Sequence, residues 1–71
     1  MRYVVVYEET DTGYSAYVPD LPGCVAVAES EEDVKLLIQE AIEFHLEGLR
    51  DEGSPIPAPH SNIAYVEVPV A

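Results

Sequence analysis

The sequence predicts an α+β fold in two layers with the order β-β-β-α-β. An antiparallel three-stranded meander carries one amphipathic helix on one face, and a final strand lies at the edge of the sheet or between subunits. Three observations predict it. β-branched and aromatic runs near the N-terminus are separated by turn-forming residues. An apolar stripe of helical period with cap residues at both ends covers residues 31 to 52. A glycine and proline exit then leads into a valine-rich run.

Residues 2 to 8, Arg-Tyr-Val-Val-Val-Tyr-Glu, read as the first strand. Glu9 to Gly13 supplies turn formers, with a glycine able to take positive φ, so residues 14 to 18 fold back as the hairpin partner. Alternation puts Tyr14, Ala16 and Val18 on one face and Ser15 and Tyr17 on the other. Pro19-Asp20-Leu21-Pro22-Gly23 reads as a rigid turn, because two prolines restrict φ and a glycine permits a sharp reversal. Cys24 to Ala28 forms the third strand. Ser30 is a good helix N-cap, Asp33 stands where a capping box places its partner, and Glu31, Glu32 and Asp33 suit the positive helix N-terminus.

The helix is expected from Glu31 to about Glu52 with Gly53 as its C-terminal cap, and Val34, Leu37, Ile38, Ala41, Ile42, His45, Gly48 and Leu49 form its core-facing stripe. Residues 54 to 59, with alternate prolines, take an extended polyproline-like path. Residues 63 to 70 read as the last strand, and Pro69 suits a sheet edge.

Composition bounds the function. Fourteen Asp and Glu against three Lys and Arg leave a formal charge of −11. Such a chain lacks the basic patch that contacts a phosphate backbone, and an anionic membrane repels it, so neither direct nucleic-acid binding nor membrane binding is expected. A hydrophobic share of 48% is too high for a disordered acidic segment. Seventy-one residues suit one domain, residues 1 to 71, with a core that is marginal in size. Cys24 has no partner for a disulfide, and Cys24, His45 and His60 are too few for a structural zinc site, which leaves self-association as the stabilising device. With one unpaired cysteine and neither an export signal nor a membrane-spanning run, the expected compartment is the cytoplasm.

The helical segment holds Glu31, Glu32, Asp33, Glu40, Glu43, Glu47, Asp51 and Glu52, eight of the fourteen acids. Most miss the apolar stripe. One reading is a solvated face kept negative for solubility; the other is a docking surface for a basic partner. In the second reading Glu40, Glu43 and Glu47 make the electrostatic contacts, with Leu36 and Phe44 as apolar anchors beside them. Tyr65, Val66, Val68 and Val70 are the candidates for a dimer interface, giving a homodimer or higher homo-oligomer.

A metal-dependent hydrolase using Glu8, Asp11 and Asp20, with Glu9 nearby, is the alternative from a different class. It needs several carboxylates converging in a cleft, for which a one-helix domain has little room. His45 is expected as a packed core histidine, Cys24 as a small buried residue and His60 as an exposed turn residue. No catalytic, cofactor-binding or metal-binding residues are expected, and the chain is read as a non-enzyme.

Three stretches resemble the HicB-like antitoxin family of bacterial and archaeal toxin-antitoxin systems. They are the hairpin ending in Val18-Pro19-Asp20-Leu21-Pro22-Gly23-Cys24, the helix with Ser30-Glu31-Glu32-Asp33, Gln39-Glu40-Ala41-Ile42-Glu43 and Leu46-Glu47-Gly48-Leu49, and the exit Gly53-Ser54-Pro55-Ile56-Pro57-Ala58-Pro59. The resemblance implies an inhibitor that binds a small basic ribonuclease toxin of the HicA type and blocks its access to RNA. It also implies a fold compared with a degraded ribonuclease H and with double-stranded-RNA-binding domains, and a tendency to dimerise. Many family antitoxins continue into an operator-binding domain, whereas this sequence stops at Ala71 after the valine-rich run. A vestigial or active metal-dependent hydrolase of the ribonuclease H kind and a homodimeric domain without a toxin are the alternatives within this resemblance.

Overall fold

A computed structural model describes residues 1–70. Three strands, β1 (Val6–Thr10), β2 (Gly13–Tyr17) and β3 (Val25–Ala28), form an antiparallel sheet in the order β1-β2-β3, followed by helix α1 (Glu31–Asp51). This is the expected meander and helix, with two adjustments. The first strand is shifted: pairing runs from Val6 opposite Tyr17 to Thr10 opposite Gly13, so only Asp11 and Thr12 remain in the hairpin loop. Gly13 does not use the positive φ open to it. Its constraint is space. A Cβ there would run into the Ala28 carbonyl oxygen and lie 2.8 Å from the Glu29 Cα, which explains the glycine by close backbone approach.

The rigid turn after β2 consists of two successive β-turns. The Leu21 N–H donates to the Val18 carbonyl at 3.1 Å, and the Cys24 N–H donates to the Leu21 carbonyl at 3.1 Å. Pro19 and Pro22 occupy the second position of each, and Gly23 takes φ +85, as the third position of a type II turn demands. A bond of 3.2 Å from the Val18 N–H to the Cys24 carbonyl closes the loop. The turn thereby drives Leu21 inward, where it is completely buried.

Ser30 caps the helix as expected, its Oγ accepting from the Asp33 N–H at 3.1 Å. At the other end Gly53, at φ +73, donates to the Arg50 carbonyl and Ser54 donates to the Leu49 carbonyl, the double bond of a Schellman motif. Ala16, Val18, Leu21, Cys24, Val34 and Ile38 form the core, with Tyr3, Val5, Tyr14, Ala41, Ile42 and Leu46 packed against it. The expected stripe is rotated at one flank. Leu37 is exposed and Leu46 is packed, because the helix backbone rests over β2 and β3 rather than over β1.

That placement leaves β1 thinly covered. Tyr7 pairs with Ala16 and shares its helix-side face, yet stays 41% exposed. On the opposite face Tyr17, Val25 and Val27 are exposed to solvent.

Residues 63 to 70 form no strand within the protomer, so the expected fifth element is not an edge strand of the protomer's own sheet. The physical reason is that strand propensity requires a partner edge. Here the chain is anchored short of that segment, as described below.

Candidate functional site

The outer face of α1 carries the residues expected to bind a partner. Counting about 100° per residue, Glu43, Leu36, Glu47, Glu40, Phe44 and Leu37 fall in that angular order on one stripe, roughly opposite Val34, Ile38 and Ile42. All six are exposed, Leu36 by 59% and Phe44 by 80%. Apolar side chains this open on a helix whose other face is already packed are not core residues out of place. They stand in a frame of carboxylates along a helix of 21 residues, about 30 Å long. Leu37 belongs to the same stripe, which the sequence reading assigned to the core; the offset of the helix toward β3 exposes it.

The positive charge on this helix is sparse. Lys35 is engaged with Glu31 at 3.2 Å, a solvent-exposed pair of small energetic weight, and Arg50 lies in the last turn. Glu40, Glu43 and Glu47 therefore stand beside Leu36 and Phe44 as exposed carboxylates with little positive charge near them in the helix.

A second constellation surrounds Asp20. This carboxylate, only 5% exposed, accepts from the Ser61 hydroxyl at 2.7 Å, the Ser61 N–H at 3.0 Å and the His60 N–H at 3.0 Å. The His60 ring, largely in solvent, reaches the other side of the group with Nδ1 3.1 Å from Oδ1. His60 was expected as a plain exposed turn residue; its ring is exposed, but its backbone and Nδ1 serve Asp20. The Tyr3 hydroxyl donates to the Pro57 carbonyl, so the proline-rich exit is tied at two places to the sheet end.

The bond from the Ser61 hydroxyl, and then its N–H, hold the Asp20 carboxyl below the usual aspartate range. A depressed folded-state pKa contributes stability that is present above the unfolded value and lost as pH falls through the folded one. Acid titration followed at the His60 and Ser61 amides is thus expected to show release of the segment with a midpoint below about 3.9, the ordinary aspartate value. Asp20→Asn is expected to abolish that transition and lower the melting temperature by about 5–10 °C.

The carboxylates of the hydrolase alternative are not brought together. Asp11 lies at the hairpin tip, Glu8 on β1, and both oxygens of Asp20 are occupied by the clasp. Among the described residues no three His, Cys, Asp or Glu side chains cluster as metal ligands. Cys24 is buried in the core, and burial pushes its thiol pKa up, away from nucleophilic use. His45 is half-buried on the helix. No helix is long and apolar enough to cross a membrane among the described residues.

Residues 3–69 match the family described as the HicB-like antitoxin of bacterial toxin-antitoxin system. A UPF0150 protein of Helicobacter pylori is 40% identical over 67 residues, covering 93% of this chain and 93% of its own length. A 14.9 kDa protein from the rep-hol intergenic region of Haemophilus phage HP1 is 32% identical over 97% of this chain. Antitoxin HicB 2 of Photorhabdus laumondii is 32% identical over 100% of it. The chain spans about half the length of these last two relatives, 52% in each case. Among solved structures, the HicA3 and HicB3 toxin-antitoxin complex contains a similar chain with a TM-score of 0.72 and 32% identity, over 84% of this chain and 70% of that one.

Proposed function

As the chain belongs to the HicB-like antitoxin family of bacterial toxin-antitoxin systems, we propose that it is a non-enzymatic inhibitor that docks a small basic ribonuclease toxin of the HicA type on the outer face of α1. The observation that carries this is the pairing of exposed Leu36 and Phe44 with Glu40, Glu43 and Glu47 on one stripe. A surface used by a ribonuclease to hold RNA is basic, and a carboxylate stripe competes for it by the same electrostatics that hold phosphate. The charges accelerate encounter, and the two apolar anchors, once desolvated, slow dissociation. The similar chain in the HicA3 and HicB3 complex supports a toxin as the partner class. A solvated acidic face without a partner accounts for the carboxylates but not for Phe44 in their midst.

The reading is tested by titrating the chain into a purified HicA-type toxin while following cleavage of an RNA substrate, at salt concentrations from 50 to 500 mM. The expected result is stoichiometric inhibition whose affinity falls by about tenfold or more as the Debye length shrinks. Inhibition that ignores salt would sink the electrostatic docking, and cleavage unaffected by excess chain would sink the proposal itself.

A further inference from the structure

Helix α1 carries a seven-residue pattern on the flank that the sheet leaves free. Asp33, Glu40 and Glu47 stand seven apart, as do Leu37 and Phe44, and so do Ala41 and Gly48. At about 100° per residue they make three neighbouring rows, acidic, large apolar and small, in that order from the solvent side toward the core. In heptad letters the acids hold position g, the large side chains position d and the small ones position a. The large row is open, Leu37 by 42% and Phe44 by 80%, and the three acids are exposed. The small row begins in the core with Val34, and a straight helix turns it outward by about 20° per heptad. Ala41 and Gly48 are accordingly half-buried, and a Cβ added at Gly48 would meet nothing within 4 Å.

Large side chains alternating with small ones along a helix flank make a surface into which another helix packs. Leu37 and Phe44 supply the knobs, and Ala41 and Gly48 leave the holes between them. The protomer does not supply the second helix, since α1 is the one helix among the described residues. Charge selects the occupant. Position g borders the neighbouring helix in such a pairing, and here it is a carboxylate three times in succession, while Lys35 and Arg50 fall on other rows. A second copy of α1 does not fit. Antiparallel pairing of the seam with itself sets Asp33, Glu40 and Glu47 against the same acids, and the other flank of the seam, with Ile38, is taken up by the core. The complementary helix has one apolar seam with Lys or Arg beside it at the same seven-residue spacing, about 10 Å along the axis.

Resting on the toxin-docking reading above, we infer that the basic partner presents an amphipathic helix that packs lengthwise along the Leu37–Ala41–Phe44–Gly48 seam of α1, its cations paired with Asp33, Glu40 and Glu47. Phe44 inserts between turns of that helix, and Gly48 lets its backbone come close. From Asp33 to Asp51 the seam offers about 27 Å. Leu36 and Glu43 lie on the row beyond the acids, where they border the contact as its rim and add to the field that draws the partner in.

Gly48 gives the most direct test. Gly48→Phe enters open space beside the helix, so the melting temperature is expected to hold within a few degrees. The ring fills the hole, and affinity for a purified HicA-type toxin is expected to fall at least about 30-fold, whereas Gly48→Ala stays within about threefold of the parent. Two matched pairs separate the seam from its rim. Leu37→Ala is expected to cost at least about tenfold in affinity and Leu36→Ala less than about threefold, although both remove an exposed leucine. Glu47→Lys is expected to cost at least about fivefold more than Glu43→Lys, although both change the charge equally.

Calorimetric titration of the toxin with each full-length variant measures these differences. If Gly48→Phe binds like the parent, or if the rim variants cost as much as their seam counterparts, the helix seam is overturned. The docking reading survives that result as long as the parent inhibits the toxin in a salt-sensitive way. A parent that fails to inhibit the toxin overturns both.

Discussion

Replacing Glu40, Glu43 and Glu47 together with lysine is expected to weaken inhibition of a basic toxin by at least about 100-fold while leaving the melting temperature within a few degrees of the parent. The net charge moves from −11 to −11 + 6 = −5, and the stripe around Leu36 and Phe44 changes sign. Against a basic surface each contact then becomes like-charge, which costs both encounter rate and residence. Stability changes little because all three side chains are exposed, and the like-charge spacing of Glu43 with Glu47 is replaced by another like-charge pair. Calorimetric titration at two salt concentrations checks this: the parent loses affinity with salt and the variant gains or holds it. Phe44→Ala separates the roles further, with the loss expected in the dissociation rate and the association rate nearly unchanged. If the triple variant inhibits as well as the parent, the outer face of α1 is not the docking surface.

Leu21→Ala is expected to lower stability by about 2–5 kcal/mol, the range for emptying a buried leucine site. A domain of this size holds roughly 4–10 kcal/mol in total, so the single change removes a large share and brings the melting temperature down by tens of degrees, on the order of 4–8 °C per kcal/mol. Leu21 is completely buried at the point where two β-turns meet, and Pro19 and Pro22 leave the loop little freedom to collapse into the space. Leu37→Ala is the control. It removes the same side chain from an exposed position of the helix and is expected to shift stability by no more than about 0.5 kcal/mol. Denaturant titration of both variants, followed by circular dichroism, measures the difference. Equal losses in the two would contradict the placement of the core.

Some of this could be read from the chain alone because the signals are local. Ser30 with Asp33, and Gly53 after a periodic run, mark helix ends through bonds that close within a few residues, and the helix starts and stops where those residues put it. The alternation of Ala16 and Val18 against Tyr17 is equally local and selects the buried face of β2. Leu36 and Phe44 stand out by missing the core stripe, so their exposure follows from period alone.

Other residues are not legible locally, because their roles depend on partners far along the chain. Asp20 reads as one of several turn carboxylates until Ser61, forty-one positions away, is seen to bond it. Leu21 reads as loop because the flanking prolines are the louder signal; a lone large aliphatic between two turn prolines is the clue that it points inward. Gly13 reads as a conformational glycine, whereas the reason for it is the Ala28 backbone on another strand.

The family, the order of meander and helix, and the net charge of −11 are legible in the chain alone, since each rests on neighbours in sequence or on composition. Where the helix sits on the sheet follows from packing between distant segments. By resting on β2 and β3 it buries Val34 and Ile38, turns Leu37 outward and leaves β1 uncovered. Distant contacts also decide the state of the valine-rich segment. Propensity marks those residues for a strand, but a strand exists only where another backbone meets its donors and acceptors, and the clasp at Asp20 holds the chain just short of that segment.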